Sequence, residues 1–372
     1  MVSEPHGGGS TDQDMIENSR NNRTPGPDSK GIALVIVLWV LTLLSVIVLE
    51  FCFSMRTELN VTRNYKEEAQ LYFYGQGGIH RAIAELVYKT DPAIQARRKQ
   101  IEDQKKLQIK NEQGEEAPTL EEEWRTDGRP YPVAFRSGEA EVRVRNEAGR
   151  INLNRANDQL LRKVIKYFVE MGERRDIIVD SILDWRDKDD LHRLNGAEND
   201  YYQSLPEPYS CKNGDFDSLE ELLLVRGITP ELFYGKKSKN QEEGQETVTF
   251  GLKDIFTVFS SIDKVDINTA SLEVLMVLFD ISSEMAKRVI EAREEKEFAN
   301  LAELTQGVPE LTPYVQDVRG LIIFKSNMPY YTITSWGKMN TGESKRGLEC
   351  VVKIDQKEES GYKVLMWKDV LY

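Results

Sequence analysis

The run Ile32-Ala33-Leu34-Val35-Ile36-Val37-Leu38-Trp39-Val40-Leu41-Thr42-Leu43-Leu44-Ser45-Val46-Ile47-Val48-Leu49 decides how this chain is read. Its 18 residues carry no charge, and only Thr42 and Ser45 interrupt the apolar character. A membrane span needs about 20 apolar residues at ~1.5 Å of rise each. With Glu50-Phe51-Cys52-Phe53 the segment 32–53 reaches that length. A buried helix of a soluble domain is the competing reading, and an unbroken run beside the N-terminus favours the span. A signal peptide fits poorly, because its apolar core is only ~7–15 residues and ends at a small-residue cleavage site. Nothing of that kind follows Phe53. Arg20, Arg23 and Lys30 on one side balance Arg56, Arg63 and Lys66 on the other, so positive charge sets no orientation. Residues 1–31 are rich in Gly, Asn, Asp and Ser, with Gly7-Gly8-Gly9 and Pro25-Gly26-Pro27, and read as an extramembrane leader that cannot form a core.

Beyond Phe53 the pattern turns amphipathic without a breaker. Leu59, Tyr65, Ala69, Tyr72, Phe73, Ile79, Ile83 and Leu86 recur at helical spacing, so 54–90 continues the same helix out of the membrane. Gly75, Gly77 and Gly78 each cost a helix ~1 kcal/mol, which predicts a bend or close packing there. Residues 91–127 are dominated by Lys, Arg, Gln and Glu and read as a mobile connection or a solvated helix. Strand patterns at Tyr131–Phe135 and Glu139–Val144 flank Ser137-Gly138, a hairpin signal. A second strand block follows near the C-terminus: Tyr330–Trp336, Leu348–Ile354 and Tyr362–Trp367. The expected fold class is α+β, a long N-terminal helix packed on an antiparallel sheet built from 128–153 and 321–372. A helical domain, 154–320, is inserted into that sheet.

Charge narrows the function. Among 372 residues, 49 Lys and Arg face 62 Asp and Glu, a formal net charge of −13 with no strongly basic segment. Non-specific nucleic-acid binding, which depends on neutralising phosphates, is disfavoured. Three His and three Cys (Cys52, Cys211, Cys350) are too few and too scattered for a zinc or disulfide framework.

The insert reads as a duplication. Asn154-x-Ala156 parallels Asn268-x-Ala270, Arg186 parallels Arg293, and Phe216-x-x-Leu219-x-x-Leu222 parallels Phe298-x-x-Leu301-x-x-Leu304. Phe298 follows Arg293 by 5 positions and Phe216 follows Arg186 by 30, so the first copy contains an extra loop within 184–217. That loop holds Asp184, Asp187, Asp189, Asp190, Glu198, Asp200, Asp215 and Asp217, with Asn195, Asn199 and Asn213 among them and turns expected at Gly196 and Gly214. Hard oxygen donors in this density suit Ca²⁺, which takes six to eight of them, better than Mg²⁺ with its tight octahedron. The spacing is not an EF-hand, and a plain solvated acidic loop remains the alternative. Catalysis is a poor reading, because His192 stands alone and no nucleophile–base pair accompanies the carboxylates. The segment Val265–Arg293 with Phe298, Leu301 and Leu304 resembles helix-hairpin-helix modules that bind DNA in competence proteins. At their hairpin glycine positions this chain has Asp280 and Ser282 around Ile281, and the first copy keeps only Gly227. Asp280 would face phosphate with the wrong charge, so the module is read as reused for protein contacts. A membrane-tethered DNA-binding protein is the alternative function.

Lys30-Gly31 directly before the apolar helix resembles the processing site of type IV pilins and pseudopilins. Further stretches resemble one branch of that group, the general secretion pathway protein K family of type II secretion minor pseudopilins: Gly149-Arg150-Ile151-Asn152-Leu153-Asn154, Asp184-Trp185-Arg186-Asp187-Lys188-Asp189, Asn195-Gly196-Ala197-Glu198-Asn199-Asp200-Tyr201-Tyr202, Ser218-Leu219-Glu220-Glu221-Leu222 and Asp266-Ile267-Asn268-Thr269-Ala270. The pilin Glu at the fifth mature position falls on Ile36, and that family characteristically lacks it. The resemblance implies cleavage by prepilin peptidase between Gly31 and Ile32, with methylation of Ile32. It implies a non-enzymatic, single-pass inner-membrane protein whose C-terminal domain lies in the periplasm. It also implies a place at the pseudopilus tip with the minor pseudopilins I and J, no nucleic-acid partner, and structural calcium in the insert. The ligands expected are Asp187, Asp189, Asp190, Glu198 and Asp200, with Asn213 and Asp215 as a possible second cluster. Cys211 and Cys350 would share an oxidising compartment, which leaves open a bridge or two buried thiols.

Overall fold

A computed structural model describes residues 28–92, 94–97, 99–100, 124–235, 237–239, 246–248, 250–340 and 344–370. Nearly all of the leader 1–31 and most of the charged stretch 91–127 lie outside the described residues. The chain divides into two compact units at Lys66/Glu67.

The helix α1 runs unbroken over Asp28–Thr90, 63 residues. From Ile32 to Leu49 its large side chains are exposed, and the helix is long and apolar enough to cross a membrane. The two polar residues of the run keep their hydroxyls within the helix. Thr42 donates to the Trp39 carbonyl and Ser45 to the Leu41 carbonyl, each at 2.8 Å, which removes two donors that lipid could not satisfy.

In the second unit, five strands form one antiparallel sheet: β1 (Asp127–Ala134), β2 (Gly138–Asn146), β3 (Tyr330–Met339), β4 (Lys345–Ile354) and β5 (Tyr362–Val370). They lie side by side in chain order. The expected hairpin at Ser137-Gly138 joins β1 to β2, with Ala134 opposite Glu139. Strands β2 and β3 pair directly, Val142 against Ser335, although the whole insert separates them in sequence.

Alternation along the strands places Ala140, Val142, Val144, Ile333, Leu348, Cys350 and Val352 in one core with Ile79, Ala82, Ile83 and Leu86 of α1. The glycines of α1 produce close packing rather than a break. A methyl group added at Gly78 would stand 2.7 Å from the Val142 side chain and 2.9 Å from that of Ala140. The amphipathic stripe divides in two: Ile79, Ile83 and Leu86 are consumed by the chain's own sheet, whereas Leu59, Tyr65 and Phe73 stay exposed.

The insert leaves the sheet after Asn146 and returns at Tyr330; at the same end of the sheet, where Lys353 pairs with Tyr330, Gln356 of the β4–β5 turn donates from Nε2 to the Thr90 carbonyl at 2.6 Å. Its longer helices are Asp158–Phe168, Glu173–Arg186, Leu272–Phe279 and Ser283–Glu295. Asn157, Ser271 and Ser282 cap three of them by accepting from the backbone N–H of Leu160, Val274 and Met285. Two short parallel pairs close the insert, Ile151–Asn152 with Phe256–Thr257 and Val265–Asp266 with Ile322–Ile323. Between insert and sheet sits the buried Glu147, whose carboxylate accepts from the hydroxyls of Thr257 and Thr332.

Candidate functional site: the acidic loop of the insert

The loop springs from a latch whose hydrogen bonds recur further along the chain. Asn154 holds the backbone of Phe216 with both ends of its amide: Nδ2 donates to the Phe216 carbonyl at 3.0 Å and Oδ1 accepts from its N–H at 2.8 Å. Asn268 holds Phe298 in the same way, at 2.9 Å for both bonds. Arg186 donates to the Leu153 carbonyl at 2.5 Å, and Arg293 to the Ile267 carbonyl at 2.6 Å. The carbonyl acceptor in each case belongs to the residue just before the latch Asn. Burial pulls the Arg293 guanidinium down to about 10, against the raising effect of Asp127 and Asp266.

One hairpin expectation needs correction. Gly227 does not mark the counterpart of Asp280-Ile281-Ser282. The helix pair that the Asn154–Arg186 latch encloses turns at Val169–Gly172, where Gly172 has φ +149°. In the later hairpin Asp280 takes the left-handed conformation, φ +57°, and its carboxylate accepts from Lys166 Nζ at 2.8 Å.

Inside the loop, most of the expected ligands are brought to one neighbourhood. Asp190 Oδ1 accepts from the amides of Asn199 (3.0 Å) and Asn213 (2.8 Å), and Asn213 also donates to the Asp189 carbonyl (3.2 Å). Asn213 makes this turn with a left-handed backbone, φ +48°, a conformation that Asn tolerates better than most residues. The turn glycines behave differently from each other. A side chain at Gly196 would run into Asp184 Oδ2 at 1.8 Å, whereas Gly214 has only the Lys212 carbonyl, 3.8 Å away.

Four buried acceptor oxygens in this neighbourhood have no hydrogen-bond partner: both of Glu198, Oδ1 of Asp187 and Oδ1 of Asn213. Glu198 is only 2% exposed. Burial pushes its carboxyl up to about 7, against the lowering effect of the Cys211 thiol, a weak donor, and the charges of Asp184, Asp187 and Asp190 add to the rise. An unpaired buried carboxylate is costly, and a set of acceptors without donors is what a cation would satisfy. The chemistry of the donors fits calcium: all are oxygens, several are charged, and the spacing is irregular.

The remaining expected ligands are engaged or turned away. Among the described residues no three His, Cys, Asp or Glu side chains converge as a finished cage. Asp189 Oδ1 accepts from the Leu191 N–H at 3.0 Å, and Asp200 Oδ1 from the Tyr201 N–H at 2.8 Å. Asp215 is exposed. Sequence reasoning passed over Arg193, whose Nη1 lies 2.7 Å from both Asp184 Oδ1 and Asp187 Oδ2. This internal cation neutralises part of the cluster. An arginine set between Asp190 and Glu198, amid the loop's carboxylates, was the signal available for it. Cys211 and Cys350 are both free and buried, Cys211 in the core of the insert and Cys350 in that of the sheet.

Comparison with known proteins bears on the chain as a whole. Residues 149–235 match the family profile of type II secretion system protein K, and 260–317 match the helix-hairpin-helix motif. The chain is 22% identical over 292 residues to a type II secretion system protein K of Pseudomonas aeruginosa, covering 76% of this chain and 77% of that one. It is 24% identical over 325 residues to the protein of the same name from Aeromonas hydrophila, with 80% and 86% covered. Its fold resembles a chain in the crystal structure of the GspK-GspI-GspJ complex from enterotoxigenic Escherichia coli, with a TM-score of 0.51 and 18% identity, covering 84% of this chain and 99% of that one. A continuous apolar-then-amphipathic helix on a five-stranded sheet, split by an insert with a helix-hairpin-helix motif, is thus similar in sequence and in fold to the type II secretion system protein K family.

Proposed function

We propose that this chain is the minor pseudopilin at the tip of a type II secretion pseudopilus. Residues 32–53 anchor it in the inner membrane, its second unit works in the periplasm, and it assembles with the I and J minor pseudopilins to support export across the outer membrane. The observation that carries this reading is the division of α1. One set of its apolar residues is spent on the sheet, and a second set, including Phe73 at 64% exposed, stays uncovered among the described residues. Ile36 offers no carboxylate to a neighbour's N-terminal amine, and the insert departs from the end of the sheet whose β4–β5 turn meets the C-terminal turn of α1. Both features favour a terminal place in a filament. Replacing Phe73 by Asp should weaken co-purification of the full chain with its partners more than tenfold, since burying an unpaired charge costs several kcal/mol. Undiminished co-purification would count against the tip complex.

Maturation has its own test. Gly31→Leu should leave the leader attached, whereas the parent chain should begin at N-methyl-Ile32, a difference that mass spectrometry of the mature terminus reads directly. An intact Met1 in assembled material would refute the processing site.

Within the insert, the matched latches at Asn154/Arg186 and Asn268/Arg293 support a duplicated helix-hairpin-helix scaffold. The acidic loop of its first copy is proposed to hold structural calcium. Glu198, Asp187 and Asn213 supply the unpartnered oxygens, Asp190 stands beside Asn213, and Asp189, Asp200 and Asp215 are the further donors that would turn toward the ion. The ion supplies positive charge to acceptors that lack donors. The chain's own groups, Arg193 and the Asn199 and Asn213 amides, hold the loop's shape around it. The role of this loop is to stiffen the insert, and DNA binding is disfavoured by the Asp280 carboxylate at the later hairpin.

A further inference from the structure

A second feature of the insert lies apart from the acidic loop. The Val169–Gly172 hairpin forms one wall of a cleft of about 1130 Å³, and the Pro230–Tyr234 and Leu252–Ile255 helices form the other. Its floor is aromatic: Tyr167, Phe168 and Phe250 form a triad with ring centroids 5.4–5.6 Å apart. Met171, 78% exposed, stands at the rim. Among the described residues, Glu170, Glu173, Glu231, Asp254 and Glu273 line the cleft against Arg174 and Lys253.

A hairpin that binds phosphate presents bare N–H groups to it, and here Glu170 and Glu173 flank the turn and would repel it. The same geometry attracts a cation. Lys253 Nζ already sits 5.4 Å above the Tyr234 ring centroid within this cleft, an internal instance of the contact. We propose that the cleft binds an extended segment of a partner protein bearing Lys or Arg beside an apolar side chain. Ammonium or guanidinium groups would lie over the aromatic faces, each such contact strengthening binding a few-fold. The surplus carboxylates would steer the segment in and exclude acidic competitors. The volume is sufficient for a few residues of extended chain. This inference does not depend on the place of the chain in the pseudopilus.

The test uses the full chain in non-ionic detergent and a labelled Gly-Lys-Leu-Lys-Gly peptide, with Gly-Glu-Leu-Glu-Gly and a single-stranded oligonucleotide as competing probes. The basic peptide should bind, and Glu170→Lys/Glu273→Lys should weaken it at least tenfold. Tyr167→Ala should weaken it about threefold. The charge-matched pair Glu284→Lys/Glu291→Lys, on the Ser283–Glu295 helix, should leave binding unchanged, and thermal melting of each variant checks that it is folded. Equal losses in both charge-reversed pairs would reduce the effect to the net charge of −13 and overturn the proposal. So would absence of peptide binding, or binding of the acidic peptide or the oligonucleotide in its place.

Discussion

Saturating Ca²⁺ should raise the unfolding midpoint of the full chain in detergent by about 5–10 °C, and equimolar Mg²⁺ by much less. A ligand at a hundred times its dissociation constant stabilises the folded state by about 2.7 kcal/mol, and a domain of this size gains about 2–4 °C per kcal/mol. The gain should vanish in Asp187→Asn/Asp189→Asn with the five-stranded sheet still folded, because neither side chain touches the core of the sheet and α1. Glu198→Gln should reduce the calcium response while stabilising the chelated protein, since it removes a charge that is buried without a partner. The pH dependence should reverse with the ion. In chelator, the folded Glu198 carboxyl holds its proton up to about 7 and the unfolded one only to about 4.5. Its contribution to stability is therefore greatest below pH 4.5 and is lost as pH rises toward 7. Calcium requires the deprotonated carboxylate, so its stabilisation grows over that same window. Midpoints at pH 5.5 and 7.5, with chelator and with calcium, would show the crossing. Indifference to both, with no metal by elemental analysis, would return the loop to a solvated acidic surface.

Gly337→Val should detach α1 from the sheet and cost at least 3 kcal/mol. Gly337 lies in β3 where the helix backbone crosses it, and a Cβ there would stand 2.0 Å from the Leu71 carbonyl oxygen and 2.9 Å from the Gly75 nitrogen. Both obstacles are backbone, so no rotamer change relieves them. Separating the layers would strip Ile79, Ala82, Ile83 and Leu86 of their cover, beyond the 1–3 kcal/mol usual for overpacking. The insert has its own hydrophobic core, centred on residues such as Leu161, Ile182, Leu222 and Leu278. Its amides should stay protected from hydrogen exchange while those of β2 to β4 lose protection. Exchange in Gly337→Val that matches the parent chain throughout would show that the close approach is not needed.

Much of this molecule could be read along the chain because the responsible physics is local or periodic. The Ile32–Leu49 run needs only its length and lack of charge to specify a spanning helix. Alternation at Glu139–Val144 and Leu348–Ile354 specifies strands with one buried face, and Asn154, Arg186 and Phe216 announce a duplicated latch by repeating as Asn268, Arg293 and Phe298. The glycines of α1 announced close packing or a bend without deciding between them. That decision belongs to the sheet, where β2 brings Val142 and Ala140 against Gly78 and β3 brings Gly337 onto the helix backbone. The same holds for the division of the amphipathic stripe. Spacing marks Phe73 and Ile79 alike as apolar helix positions, and only docking on the sheet buries Ile79 and leaves Phe73 outside. In the acidic loop, composition revealed oxygen donors, but the chain's path determines which of them keep hydrogen-bond partners. Asp190 meets Asn199 and Asn213, Asp187 and Asp184 share Arg193, and Glu198 is enclosed with neither oxygen satisfied. A carboxylate's character as surface charge or ligand is a matter of desolvation and neighbours, and those come into being only when distant segments are brought together.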